Sequence, residues 1–147
     1  MTKFAARNPD FEFVTRRFLE SMPVFETLAL NIEDMKPGKA TISMRIVPAL
    51  TFDGLHVQGG IVGALLDIGG GAAATTLVAE GHGVVTMGFE THHLGPAGGE
   101  RLVAEGRVVK PGRNQALSLV EIFAESHDRK TLCATGHVTS RWIELPA

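Results

Sequence analysis

The stretch Gly59-Gly60-Ile61-Val62-Gly63-Ala64-Leu65-Leu66-Asp67 decides how this 147-residue chain is read. It opens the longest helical segment in the sequence, about Gly59 to Glu80, which Gly81-His82-Gly83 closes. Ile61, Leu65 and Ile68 recur at helical spacing on one side. Gly60, Gly63, Ala64, Asp67 and Gly71 fall on another, and all but Asp67 are very small. A glycine inside a helix costs about 1 kcal/mol relative to alanine. A helix carrying Gly63, Gly69, Gly70 and Gly71 therefore gains something from close approach. The gain is tight packing on a sheet, or room for a ligand or a partner helix beside Asp67. A carboxylate set among Ile, Val, Leu, Ala and Gly is costly to bury without a partner or a task.

Working outward, the segment before this helix (49–58) reads as a loop. Upstream, Ile42, Met44 and Ile46 alternate with Thr41, Ser43 and Arg45, the period of a half-buried strand. Lys36-Pro37-Gly38-Lys39 is a turn, so 25–36 and 39–48 are expected to form a hairpin. Phe11, Val14, Phe18 and Met22 recur at helical spacing, predicting an N-terminal helix over 11–22 that Pro23 ends, with a loose tail over 1–10. Downstream, strands are expected over 84–95, 100–110, 114–125 and 131–143. The separators Gly95-Pro96-Ala97-Gly98-Gly99, Lys110-Pro111-Gly112-Arg113 and Ser126-His127-Asp128-Arg129-Lys130 are all turn-like. The last third has no strand–helix–strand alternation, which argues against a doubly wound sheet. The pattern points to an α+β fold, an antiparallel sheet packed on one central helix.

Composition narrows the function. The length suits a single domain over 1–147 with its own core. A net charge of −2 gives no footprint for nucleic acid or for a membrane surface. No segment reaches the roughly 18 unbroken apolar residues of a membrane span. Met1 to Pro9 lacks the apolar run of a signal peptide. Cys133 is the single cysteine, so no intrachain disulfide forms, and a cytoplasmic location is the default expectation. There is no phosphate-binding GxxxxGK[ST] or GxGxxG in strand–loop–helix context and no Gly-x-Ser-x-Gly elbow. His92 and His93 are adjacent on an expected strand and point to opposite faces, so they do not share a metal; no metal and no cofactor are expected. Lys110, Arg113, Arg129 and Lys130 lie in expected turns, as ordinary solvated charge or as contacts for phosphate.

The glycine pair and Asp67 carry the chemistry. The first N–H groups of a helix have no partner within it, and the helix dipole adds partial positive charge there. Glycine lets a carbonyl approach that backbone, which can polarise it and hold a developing oxyanion. Asp67 is suited to act as a nucleophile or as a general base for water. Its alternatives are a partly exposed helix residue, or a buried one capped by a neighbouring hydroxyl. Gly59 and Asp67 are eight residues apart, roughly 12 Å along a helix at about 1.5 Å per residue. A carbonyl held at Gly59 is thus out of reach of Asp67 of the same chain. Two antiparallel helices across a two-fold axis bring one chain's Asp67 to the other's Gly59, so a catalytic reading requires a dimer.

Gly54-Leu55-His56-Val57-Gln58-Gly59-Gly60 with Asp67 resembles the HGG…D signature of PaaI-type hotdog-fold acyl-CoA thioesterases. Thr86 to Ala97 resembles their following strand, which ends in a Pro-Ala pair, and Arg101 to Arg113 looks like the next strand and hairpin. The resemblance covers about residues 25–143. It implies the hotdog fold, a long helix wrapped by a curved antiparallel sheet of about six strands. It also implies a homodimer as minimal unit, often paired into a homotetramer, and hydrolysis of acyl-CoA to free acid and CoA. By position, Gly59 would supply the N–H for the thioester oxygen, and the partner subunit's Asp67 would attack or activate water. Thr86 falls where some relatives carry a water-orienting hydroxyl. His56, Gln58, Gly60 and Arg113 would contact substrate. The sequence departs from the pattern at Gln58, where a histidine is usual, and in Thr51-Phe52-Asp53, where many relatives place an asparagine. Those departures motivate an alternative, a non-catalytic acyl-CoA-binding or regulatory hotdog protein. A hydratase on the same fold ranks last, since its acid–histidine pairing is not evident.

Overall fold

The computed structural model describes residues 3–147; Met1 and Thr2 of the expected tail lie outside the described residues. Two helices, α1 (Phe11–Glu20) and α2 (Pro23–Thr27), lead into the hairpin β1 (Leu30–Lys36) and β2 (Lys39–Arg45). A single 3-10 turn, Pro48–Leu50, and a looped segment follow, then α3 (Gly59–Thr75). Four strands complete the chain: β3 (His82–His93), β4 (Arg101–Pro111), β5 (Gln115–Ser126) and β6 (Arg129–Glu144). The six strands form one sheet in the order β1-β2-β4-β5-β6-β3, with every pairing antiparallel. The sheet packs around α3, which contacts β2 through β6. This is the expected architecture.

Boundaries differ from expectation by a few residues. His82 and Gly83, expected to close the central helix, open β3, and Arg129 and Lys130, expected in a turn, open β6. The larger differences have local reasons. Pro23 does not merely end α1; it stands at the first position of α2, where its missing N–H costs nothing. The first strand therefore begins at Leu30 rather than near residue 25, after Ala29 reverses the chain at φ +50°. At the other end of the central helix, the apolar run continues to Val78 but the helix stops at Thr75. The Thr76 hydroxyl donates to the Ala73 carbonyl at 2.6 Å and accepts the Gly38 N–H at 2.8 Å, which ties the helix end to the β1–β2 turn. Leu77 and Val78 are buried without being helical. Pro111, expected in a turn, is the last residue of β4.

The core lies between α3 and the sheet. Val62, Leu65 and Leu66 meet Ile42, Met44, Leu102, Ile122, Val120 and Val138, all essentially fully buried. A helix apolar on every side is one embedded in a protein interior, and α3 fits that description except along one flank. Residues 3–10 carry no helix or strand, yet Phe4 packs against the core beside Gly38.

Candidate active site

The glycines of α3 separate into two groups. A β-carbon added to Gly69 would lie 3.0 Å from Ala104 Cβ, and one on Gly70 would lie 2.5 Å from Val138 Cγ2. These two glycines exist so that the helix can sit down on β4, β5 and β6. A β-carbon on Gly59 would be 3.5 Å from His93 Nε2, and one on Gly63 would be 3.5 Å from Phe89 Cε2 and Thr91 Oγ1, both ordinary contact distances. One on Gly71 would meet nothing within 4 Å. The second group faces β3 or open space.

β3 pairs only with β6, so its other edge is unpaired among the described residues. Its register against β6 turns Thr86, Phe89, Thr91 and His93 toward the helix, opposite Ser140, Val138, Gly136 and Ala134. A bulge at Met87, between Thr86 and Gly88, re-aims this strand. The result is a seam in which Asp67 meets Thr86, Gly63 meets Phe89 and Thr91, and Gly59 meets His93.

At one end of the seam, the Thr86 hydroxyl donates to Asp67 Oδ1 at 2.6 Å. Asp67 is half-buried. That burial pushes its carboxyl above the ordinary aspartate value, with the Thr86 hydrogen bond pulling the other way. A raised pKa makes a carboxylate a stronger base.

At the other end, the Gly59 and Gly60 N–H groups, at the start of a 17-residue helix, have no acceptor among the described residues. Gln58 is the residue just before the helix, and its Oε1 accepts the Ile61 N–H at 3.2 Å. This cap leaves the first two N–H groups free. A cleft of about 540 Å³ opens there, lined by Phe52, His56, Gly59, Val62, His93 and Pro96 among others. The loop on its near side is firmly built. Asp53 accepts the Leu55 N–H at 2.8 Å and the His56 N–H at 2.6 Å, and His56 Nδ1 bonds its Oδ2. The hydrogen bond from the His56 side chain, with those two amides, holds the Asp53 carboxyl down at about 2. The His56 ring also stacks on Phe52, 6.2 Å between centroids.

The chain thus brings Asp67 to Thr86, and Gly59 and Gly60 to Gln58 and His56 in the region of the cleft, but it does not bring these two half-sites together. Arg113 stands apart from both, in a pocket with Arg7, Ala79, His82 and Trp142 beyond the far end of α3. His93, Phe89 and Thr91 were not singled out as site residues from the sequence. The signal that finds His93 is alternation with Phe89 and Thr91, usable once the strand's inner face is known. Among the described residues no group of histidine, cysteine, aspartate and glutamate side chains is placed to hold a metal ion.

The sequence matches the model of the thioesterase superfamily over residues 55–131. The solved structure of a thioesterase family protein from Silicibacter pomeroyi is 31% identical, covers 91% of this chain and 98% of its own, and superposes with a TM-score of 0.88. The PaaI protein of the phenylacetic acid degradation operon of E. coli is 18% identical, covers 96% and 100%, and gives a TM-score of 0.82. A thioesterase from Haemophilus influenzae is 20% identical, covers 99% and 95%, and gives 0.79. A comparison with curated proteins finds no match. The fold is the hotdog fold, with the arrangement of the PaaI structure. The chain belongs to the thioesterase superfamily, whose common chemistry is hydrolysis of acyl thioesters.

Proposed function

We propose that this protein hydrolyses acyl-CoA thioesters at sites shared between two subunits of a homodimer, which pairs further into a tetramer. The observation that carries this reading is the division of one chain into two incomplete halves. Gly59 offers free N–H groups for a thioester oxygen, and Asp67 offers a basic carboxylate already oriented by Thr86. Along α3 they are roughly 12 Å apart at about 1.5 Å per residue. Antiparallel helices across a two-fold axis would join each Asp67 to the other subunit's Gly59. The unpaired edge of β3 supports such a dimer. It runs for 12 residues and exposes Val85 (42%), Met87 (57%) and Phe89 (49%). Long apolar edges are aggregation sites unless something covers them.

In this scheme the thioester carbonyl accepts from the Gly59 N–H while His56, Gln58 and Gly60 shape the entrance. The partner subunit's Asp67 attacks the carbonyl carbon or takes a proton from water that does so. The carbonyl π pair moves onto oxygen, then returns as the C–S bond breaks and CoA thiolate leaves. When water is the attacker this gives the acid directly. When Asp67 is the attacker it gives an Asp67–acyl anhydride that a water then hydrolyses to the acid and the free carboxylate. Arg113, which stands apart from both half-sites of its own chain, is the remaining candidate for the CoA phosphates. A second reading, acyl-CoA binding without turnover, draws on Gln58, whose side chain caps the helix instead of presenting an imidazole to the substrate.

The test is thiol release across short, long and aromatic acyl-CoAs, with Asp67→Asn beside wild type. The expected result is turnover by wild type and a kcat at least about 100-fold lower in the variant, or about 2.7 kcal/mol of transition-state stabilisation, with the oligomer retained. Equal rates would remove Asp67 from the mechanism. Tight binding with no turnover by wild type would favour the second reading.

A further inference from the structure

Three nitrogen-bearing side chains surround the start of α3, and two of them are already engaged. The Gln58 amide oxygen accepts the Ile61 N–H. His56 gives its Nδ1 to Asp53 and stacks on Phe52, while its Cδ2 and Nε2 lie 2.9 and 3.3 Å from where a β-carbon of Gly98 would stand. These contacts brace the 52–57 loop against the segment after β3. His93 is different. It has no hydrogen-bond or ion-pair partner among the described residues, it lines the cleft, and its Nε2 and Cε1 stand 3.5 and 3.6 Å from the β-carbon position of Gly59. Its neighbour His92 is committed on the opposite face of the strand, 3.0 Å from Glu90.

We propose that His93 is a catalytic residue of this chain, its imidazole N–H joining the Gly59 N–H on the carbonyl oxygen of the bound thioester. The proposal rests on the thioesterase reading above and adds to it the second donor of the oxyanion site. The edge of the His93 ring stands at ordinary contact distance from the β-carbon position of Gly59, so the imidazole and the Gly59 N–H border the same part of the cleft. One backbone N–H is a thin anchor for a full negative charge. Oxyanion sites gain their effect from several preorganised donors, each worth about 10²–10³ in kcat. His93 arrives from β3 and Gly59 from α3, so the seam between strand and helix fixes their relation. The balance of the step is unchanged. Water adds at the carbonyl carbon as the partner subunit's carboxylate takes its proton, the π pair goes to the oxygen, and it returns as the thiolate leaves. His93 donates a hydrogen bond throughout and neither gains nor loses a proton.

The test compares wild type, Asp67→Asn, His93→Ala and His93→Gln by steady-state thiol release with an acyl-CoA that wild type turns over, alongside thermal melts. His93 is exposed on an edge strand, so both His93 variants are expected to melt with wild type. The expected result is a kcat about 10²-fold lower in His93→Ala with KM little changed. In His93→Gln, whose side-chain amide also donates, at least about a tenth of wild-type kcat returns. A His93→Ala enzyme with wild-type kcat, or a Gln variant no better than Ala, overturns the role of His93 while an inactive Asp67→Asn leaves the thioesterase reading standing. A wild type that releases no thiol from any acyl-CoA overturns both.

Discussion

Gly70 and Gly71 are neighbours on one helix and stand in opposite surroundings. Gly70 lies against the Val138 side chain in the closed core, whereas Gly71 has open space where a side chain would be. The same contrast divides the whole of α3. Its sheet side carries Leu65, Leu66, Gly69 and Gly70, fixed by shape against β4, β5 and β6. Its other flank carries Gly59, Gly63, Asp67 and Gly71, beside an edge strand. All the groups with chemical reach are on the second flank. Small residues therefore serve two ends in one helix. They allow close packing on one side and leave a seam for substrate and partner on the other, and the sheet order decides which is which.

The largest expected effect separates the flanks by activity. Thr86→Val keeps the size of the side chain and removes its hydrogen bond to Asp67. Hydrogen bonds to a charged group are worth about 1.5–3 kcal/mol, so kcat is expected to fall about 10- to 100-fold and the melting temperature by only several degrees. The pH profile carries the sign. Burial raises the Asp67 pKa and the Thr86 hydroxyl lowers it. Removing the hydroxyl leaves burial unopposed, so Asp67 holds its proton to higher pH and the acid limb of kcat/KM moves upward. A fall in rate with an unmoved acid limb would mean that Thr86 acts on something other than Asp67.

Next is one methyl on the closed side. In Gly70→Ala the new carbon would stand 2.5 Å from Val138 Cγ2 and 2.7 Å from Val138 Cβ, with Val120 at 3.2 Å. Overpacking costs about 1–3 kcal/mol. With two atoms of a branched, fully buried valine in the way, the cost exceeds the roughly 1 kcal/mol of helix propensity gained. Denaturant unfolding is expected to show a net loss. A stabilised variant would mean that α3 can lift from the sheet and that the packing contrast between its flanks is soft.

That contrast also explains what the sequence disclosed. The period of two in 39–46, the turn residues at 95–99 and the uninterrupted apolar helix were enough for one helix against an antiparallel sheet. Asp67 stood out because an acid in an apolar helix is locally expensive, and Gly59 because a glycine at a helix start opens the unpartnered first N–H groups to a substrate. Thr86 came from resemblance alone, since only the bulge at Met87 and the pairing with β6 turn it to Asp67. His93 was set aside because adjacent histidines alternate faces. The alternation is real, but which face meets the helix depends on a strand paired 41 residues away in sequence, Ala134 opposite His93. The early end of α3 was hidden for the same reason. Thr76 is held by Gly38, and no local pattern announces that partner.

The smallest expected effect tests the open flank most sharply, because its sign depends on what lies there. Gly71→Ala adds a methyl where the single chain has nothing within 4 Å. Alone, that methyl brings only helix propensity, up to about 1 kcal/mol of added stability. If two α3 helices run antiparallel across a dimer axis on this flank, the methyl instead enters the space between them. The expected outcome is a chain no less stable in itself but a dimer that dissociates at higher concentration, seen by sedimentation across a dilution series. Melting should then become more dependent on protein concentration than in wild type, since association and folding stability are linked by mass action. A variant that melts higher at every concentration, with unchanged association, would place the partner helix elsewhere and leave the two half-sites of each chain without the neighbour that completes them.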